Sequence, residues 1–422
     1  MWLVIRFFAA LLLGLTLVTT WYATYYLARR DAAQPVPFAF GGEAKPTDYA
    51  RAIADGSVLA LLACLGLAQL AHETSPALLH MSLVGLAFFG GSCYRYHPIK
   101  SALALLLAIT GLIALFGTSH SFHVVYWLNF AHWRNSAHLL VWFAWPAWAL
   151  ALLALVKWRR HWICRHPALH ITLPLAFVLI HLLVLPIAPQ PDRWFLAALP
   201  ALSSLAAFAL PTLRRSMKSL IDLFTLVFFS GAALVVWIVW LAMETGIPPQ
   251  PAANVARLAP LFTPSYSAPV VLLALAATIA WAWLVVWRLG KHRPAIWMSM
   301  VLPAGGAALS WVLLMTLWLP LLDHARSYKP LMQQVQRMIA PKLPTCIQTH
   351  GLSAAQRAAL RYYVAQPQQE ANRGIECQWL IVDGLSQENL PEYVKREDWQ
   401  LKATLRRPTD DNEDWLIYQR QP

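Results

Sequence analysis

The stretch Ala268–Trp287, APVVLLALAATIAWAWLVVW, runs through twenty residues without an ionisable side chain and is closed by Arg288. At 1.5 Å per residue a helix of that length is about 30 Å long, the thickness of the hydrocarbon layer of a bilayer. Working outward from it, similar runs recur along most of the 422 residues. We read spans at Trp2–Ala28, Ser57–Leu70, Ala77–Cys93, Ser101–Gly117, Ala137–Val156, Leu169–Ile187, Trp194–Leu213, Leu220–Met243, Ala268–Trp287 and Ala295–Leu322. The expectation is a polytopic α-helical membrane protein of about ten spans. Ser57–Leu70 is the weakest of them, being short and starting just after Asp55. The first run is expected to stay in the mature chain, because Trp21, Tyr22, Tyr25 and Tyr26 stand where a signal peptide needs small residues for cleavage.

Composition agrees with lipid as the main solvent: 58% of residues are hydrophobic, 13% are charged, and there are 21 Trp. Residues 1–322 hold 20 Lys+Arg and 8 Asp+Glu, whereas 323–422 hold 13 and 12, so the net +13 belongs almost entirely to the first part. A pI near 9.7 invites a nucleic-acid reading. The basic residues argue against it, since they fall in short clusters between apolar runs and form no single stripe. One alternate set of connecting segments carries sixteen Lys and Arg, from Arg29 and Arg30 through Lys157, Arg159, Arg160 and Arg165 to Arg288, Lys291 and Arg293. The other set carries Arg6, Arg134, Arg193 and Arg257. Positive charge is retained in the cytoplasm, so this asymmetry places both termini on the outer side.

Beyond residue 322 the pattern changes to that of a small α/β domain, 323–422, on the outer side. Tyr328–Ile339 has helical periodicity, and Ser353–Val364 reads as a helix capped by Ser353. Thr345–Thr349, Gln378–Val382 and Trp415–Tyr418 read as strands, with Gln366–Arg373 and Arg407–Glu413 as loops. Cys346 and Cys377 stand at strand starts in a compartment that permits disulfides, and we expect them to pair. Cys64, Cys93 and Cys164, in or beside spans, are expected to be inert packing residues.

Carboxylates near the outer span ends are few: Glu73, Asp192, Glu244 and Asp323. An acid so close to lipid is costly unless paired or functional. In the turn His72-Glu73-Thr74-Ser75-Pro76 the adjacent imidazole and carboxylate suit metal binding, head-group binding or proton transfer; a solvated interfacial turn explains them equally. The segment Thr118–His138 carries His120, His123, His132 and His138 among Phe122, Tyr126, Trp127, Trp133 and Arg134. It reads as an amphipathic interfacial helix, with phosphate or divalent-metal binding as the functional alternative. No closed metal site is expected. At Pro189-Gln190-Pro191-Asp192-Arg193-Trp194, Arg193 suits a phosphate clamp while Trp194 suits an interfacial anchor.

The order Asp192-Arg193-Trp194, Leu199-Pro200-Ala201-Leu202, Arg214-Arg215 and Leu319-Pro320-Leu321-Leu322-Asp323 before Arg326-Ser327-Tyr328-Lys329 resembles the C-terminal half of membrane glycosyltransferases of the GT-C type. The likeness is to the aminoarabinose lipid A transferase and protein mannosyltransferase-like group. Ala71-His72-Glu73-Thr74-Ser75-Pro76 stands at the place of a family turn. The resemblance implies transfer of a sugar from a polyprenyl-phosphate donor to a lipid, glycan or protein acceptor at the outer face of a bacterial inner membrane. It implies Arg193 as the donor-phosphate residue, with Trp194 where the family more often has Tyr; His72, His120 and His123 are carried by position only. The family's catalytic aspartate lies in a first outer loop that has no counterpart here, because the first span resembles one several helices into the family fold. The catalytic residue is therefore left open, with Glu73 as the candidate.

Two further classes compete. One is a non-catalytic subunit that binds the lipid carrier and relies on a protein partner for the acidic loop, or an N-terminally shortened relative. The other is a transporter or lipid flippase, disfavoured because no paired broken helices or internal repeat are read.

Overall fold

A computed structural model describes residues 2–35, 44–71, 75–116, 130–163, 167–188, 190–260, 262–290, 295–339, 346–364, 366–370, 377–384, 386, 399–407 and 414–420. The side chains of 2, 3 and 130–132 are outside that description. The fold is that of a polytopic helical membrane protein with a small C-terminal sheet domain. In chain order the helices of the first part are α1 Trp2–Ala28, α2 Pro46–Leu62, α3 Leu65–Leu70, α4 Pro76–Cys93, α5 Pro98–Phe116 and α6 Phe130–Phe143. There follow α7 Ala147–Lys157, α8 Arg159–Ile163, α9 Leu169–Val184, α10 Pro191–Leu196, α11 Leu199–Ala207 and α12 Arg215–Thr245. Then come α13 Pro249–Leu258, α14 Ala268–Leu289, α15 Val301–Thr316, α16 Leu319–Arg326, α17 Lys329–Ile339 and α18 Ala354–Val364.

Among the described residues seven helices are long and apolar enough to cross a membrane: α1, α4, α5, Leu169–Ile187, α12, α14 and Ile296–Thr316. An eighth crossing arises if α6 and α7, bent by 95° at a short break, act as one. The expected ten therefore become seven or eight, for a local reason in each case. Ser57–Leu70 divides at Ala63–Cys64 into the end of α2 and the short α3, and Trp194–Leu213 divides into α10 and α11. Nine residues of α11 reach only about 14 Å. Pro146 and Pro200 lack the N–H that would continue a ladder through them.

The chain forms two compact units, Met1–Val235 with Leu272–Leu314, and Val236–Val271 with Met315–Pro422. At the heart of the first lies α11, all nine of whose residues are buried, packed by α2, α7, α9 and α1. Between these helices small polar side chains close the contacts, as expected where lipid supplies no hydrophobic drive. Thr16 Oγ1 lies 3.0 Å from Ser82 Oγ, joining α1 to α4, and Thr24 Oγ1 donates to Ser204 Oγ at 3.0 Å. Trp21 Nε1 donates to Asp55 Oδ1 at 2.8 Å, which gives the carboxylate inside α2 a partner. Between α12 and α14, Arg288 Nη2 meets Asp222 Oδ2 at 2.6 Å, and Arg288 Nε donates to Met298 O at 3.2 Å. The outward faces are apolar, with Ile99 76% and Val286 72% exposed. Contiguous exposure of this kind belongs against lipid.

The second unit contains a five-stranded mixed sheet of order β2-β1-β3-β5-β4. Its strands are β1 Ile347–His350, β2 Gln368–Glu370, β3 Trp379–Asp383, β4 Trp399–Arg406 and β5 Asp414–Arg420. β1 pairs parallel with β2 and β3, and β5 pairs antiparallel with β3 and β4. Ser353 and Gln356 form a reciprocal capping box at the start of α18. One face of the sheet buries Ile347, Trp379, Ile381, Trp415 and Ile417 against Leu331, Met332, Val335 and Ile339 of α17. Cys346 and Cys377 are joined in a disulfide, with Cα atoms 5.1 Å apart. Cys64 and Cys93 are free and buried, while Cys164 lies outside the described residues. β2 falls inside Gln366–Arg373, expected to be a loop. β4 was not among the expected strands, although Trp399, Leu401, Ala403 and Leu405 alternate with Gln400, Lys402, Thr404 and Arg406.

Candidate functional site at the Arg193 turn

Pro191 opens α10, where its missing N–H costs nothing and its fixed φ suits the first helical turn. The helix is six residues long, and its inner side is fully buried at Phe195 and Leu196. Trp194 fixes its orientation: the indole Nε1 donates to His181 O at 3.1 Å. The Trp194 ring centroid is 4.9 Å from His80, 5.5 Å from His181 and 5.7 Å from Phe116. The two imidazoles are 5.8 Å apart. His181 Nδ1 lies 2.8 Å from Phe177 O, and because a carbonyl only accepts, that nitrogen carries the proton. Four elements, α4, α5, α9 and α10, thus meet in one aromatic knot.

Arg193 is half-buried beside this knot, and its Nη1 donates to Gln190 Oε1 at 2.7 Å. A guanidinium presents a planar fork of donors, the geometry that matches a phosphate. Asp192 lies in the first turn of the same helix. Both α3 and α4 pack against α10. His72 and Glu73, between those two helices in sequence, lie outside the described residues, as do His120 and His123, which follow α5. Glu244 ends the α12 run, and Asp323 is on α16.

His80 and His181 were not singled out from sequence, although each interrupts an otherwise apolar run. A buried imidazole in a span was the available signal.

Two cavities stand out, one in each unit. In the first unit an apolar cavity of about 600 Å³ is lined by Trp145, Leu150, Leu153, Phe224, Phe229 and Pro303, among others. In the second unit a polar cavity of about 530 Å³ is lined by residues including Asp323, His324, Lys329, Gln333 and Arg337. His324 Nε2 is held by Pro260 O at 3.1 Å. Among the described residues, no three His, Cys, Asp or Glu side chains are grouped to hold a metal ion.

No protein-family model matches the chain, and no curated protein matches it. Two solved structures are similar to it. ArnT from Cupriavidus metallidurans bound to undecaprenyl phosphate is 13% identical with a TM-score of 0.48, covering 97% of this chain and 83% of that one. The apo state of that protein gives 14% identity, the same TM-score and the same coverage. A likeness at that level carries no residue role, ligand or reaction over to this chain.

Proposed function

We propose that the protein is a membrane glycosyltransferase of GT-C type, acting on a polyprenyl-phosphate-linked sugar at the outer face of a bacterial inner membrane. In this reading the termini and residues 323–422 are periplasmic. The observation that carries it is Arg193 on a short helix, anchored through Trp194 and steered by Gln190, within a resemblance that assigns this position to the donor phosphate. The apolar cavity of the same unit has the dimensions and lining suited to part of an isoprenoid chain.

The chemistry is displacement at the anomeric carbon. An acceptor hydroxyl attacks that carbon while its proton passes to a carboxylate. The bond to the phosphate oxygen breaks, and polyprenyl phosphate leaves with the bonding pair. Arg193 neutralises the charge growing on that phosphate. Glu73 is the candidate for the carboxylate.

The test is sugar transfer from a labelled polyprenyl-phosphate donor in membranes containing the full chain. Arg193→Ala is expected to lower transfer about 100-fold, in line with loss of one charge-stabilising donor. Arg193→Lys should retain part of it, and Glu73→Gln should lower kcat with donor binding unchanged. Donor binding that depends on Arg193 without any transfer would favour the carrier-binding subunit. Donor binding unchanged in Arg193→Ala would remove the proposal.

A further inference from the structure

At the far end of α1 from its N-terminus, two arginines in succession meet different surroundings. The Arg29 guanidinium lies over the rings of Tyr96 and Tyr25, 5.0 and 5.6 Å from their centroids. Arg30 lies 5.3 Å from the ring centroid of Tyr94, but its Nε and Nη2 are buried and have no hydrogen-bond partner among the described residues. Nor does Arg30 form an ion pair among them. Beside it is His170, in the first turn of α9, whose exposure is 0% and whose two ring nitrogens are likewise without partners. His161 of α8 leaves its Nδ1 in the same condition.

These groups belong to one place. The His170 ring is 5.5 Å from His161, 5.0 Å from Trp158 and 5.2 Å from Phe208. Arg30 lies just beyond α1, and α1 packs against α9. Trp158 fixes the wall by donating its Nε1 to Phe208 O at 3.0 Å. Burying polar nitrogens without partners costs free energy, and a guanidinium without a counter-charge costs more. The start of α9 adds the positive end of a helix dipole. The unpartnered nitrogens of Arg30, His161 and His170 and the start of α9 favour an anion.

The surface beside it indicates where that anion comes from. In α8, Arg159 and Arg160 are exposed, followed by Trp162 at 37% and Ile163 at 67% exposure. Basic residues next to exposed aromatic and aliphatic ones suit the head-group layer of a bilayer. The charge of the connecting segments assigns this end to the cytoplasm, where the leaflet carries anionic lipids.

We propose that Arg30, His161 and His170 form a binding site for the phosphate of an anionic phospholipid, separate from the Arg193 turn and independent of sugar transfer. Arg30 supplies the charge and two donors; the imidazoles supply further hydrogen bonds; Trp162 and Ile163 flank the lipid's glycerol and acyl region.

The test uses the full chain in mild detergent, titrated with phosphatidylglycerol, phosphatidylcholine or inorganic phosphate and read by native mass spectrometry. Phosphatidylglycerol should bind in preference to phosphatidylcholine. Its affinity should fall about tenfold in Arg30→Gln and in His170→Phe, the size of losing one charge-assisted hydrogen bond. Arg30→Lys should retain most of the binding, and Arg257→Gln should leave it unchanged. Should His170→Phe fail to fold, the Gln and Lys variants at Arg30 carry the comparison. Equal binding in all variants, or no preference for the anionic lipid, overturns the proposal. Binding of inorganic phosphate with no gain from a lipid moiety keeps an anion site but overturns the lipid as its occupant.

Discussion

Where α1 meets α4, Thr16, Ser82 and Gly85 allow close approach beside Tyr22 and Tyr26 against Phe89, whereas the sheet domain is filled by Trp379, Trp415 and Leu331. Lipid tails are as apolar as leucine, so helices inside a bilayer gain little from burying large side chains against each other. They gain from close approach and from shared hydrogen bonds. The sheet domain has water as its alternative and draws on apolar burial, with a disulfide limiting its unfolded chain. The same contrast explains the charges. Asp222 and Arg288 satisfy each other in the membrane unit at 2.6 Å. Arg406 and Asp414 pair between β4 and β5 with both side chains reached by solvent.

The largest test of the comparison is Trp415→Ala, whose side chain is fully buried. It should destabilise the sheet by about 3–5 kcal/mol, read as faster amide exchange in Ile347–His350 and Trp379–Asp383 with the spans unchanged. Almost as large should be Arg288→Leu, which leaves Asp222 without its partner. A loss of about 3 kcal/mol is expected, measured as thermal unfolding in detergent, and the double variant Asp222→Leu with Arg288→Leu should recover most of it. If the single variant were neutral, the ion pair would hold no part of the membrane unit together.

Reduction, or Cys346→Ser, should cost the sheet domain about 2–4 kcal/mol, again visible as local exchange. A side chain added at Gly306 would run into the Phe229 ring. Gly306→Leu should therefore destabilise the bundle by about 1–3 kcal/mol, seen as earlier thermal aggregation. An unchanged profile would mean that close packing there is looser than the contact implies.

The smallest effect concerns pH. Hydrogen bonds from Arg406 hold the Asp414 carboxyl below its ordinary value. A depressed folded value stabilises the fold above the unfolded pKa, about 3.9, and that contribution disappears as pH falls through the lower folded value. The pair is exposed, so screening keeps the effect small. Amide exchange in β4 and β5 should rise slightly below about pH 4 in the parent chain and less so in Asp414→Asn.

Hydropathy located most spans because the bilayer imposes a minimum length on any apolar run that crosses it. It did not reveal the divisions at Ala63–Cys64 and at Ala197–Ala198, because the residues remain apolar through each one. After the first division α3 sets Gly66 against the Phe143 ring, where a Cβ would find no room. The Arg193 turn was legible as a basic-aromatic cluster at a span end. The partners of Trp194 were not, since His80 and His181 come from helices distant in sequence.

Solvent preference, the change of character near residue 322, the capping of α18 by Ser353 and the charge asymmetry of the connecting segments are all determined by the sequence itself. Each depends on composition or on neighbours within one helical turn. Which histidines gather around Trp194, which remain unpartnered beside Arg30, and which carboxylates find a donor inside the membrane were decided by the tertiary structure alone. Those properties depend on contacts between helices, and linear spacing carries no record of which faces meet.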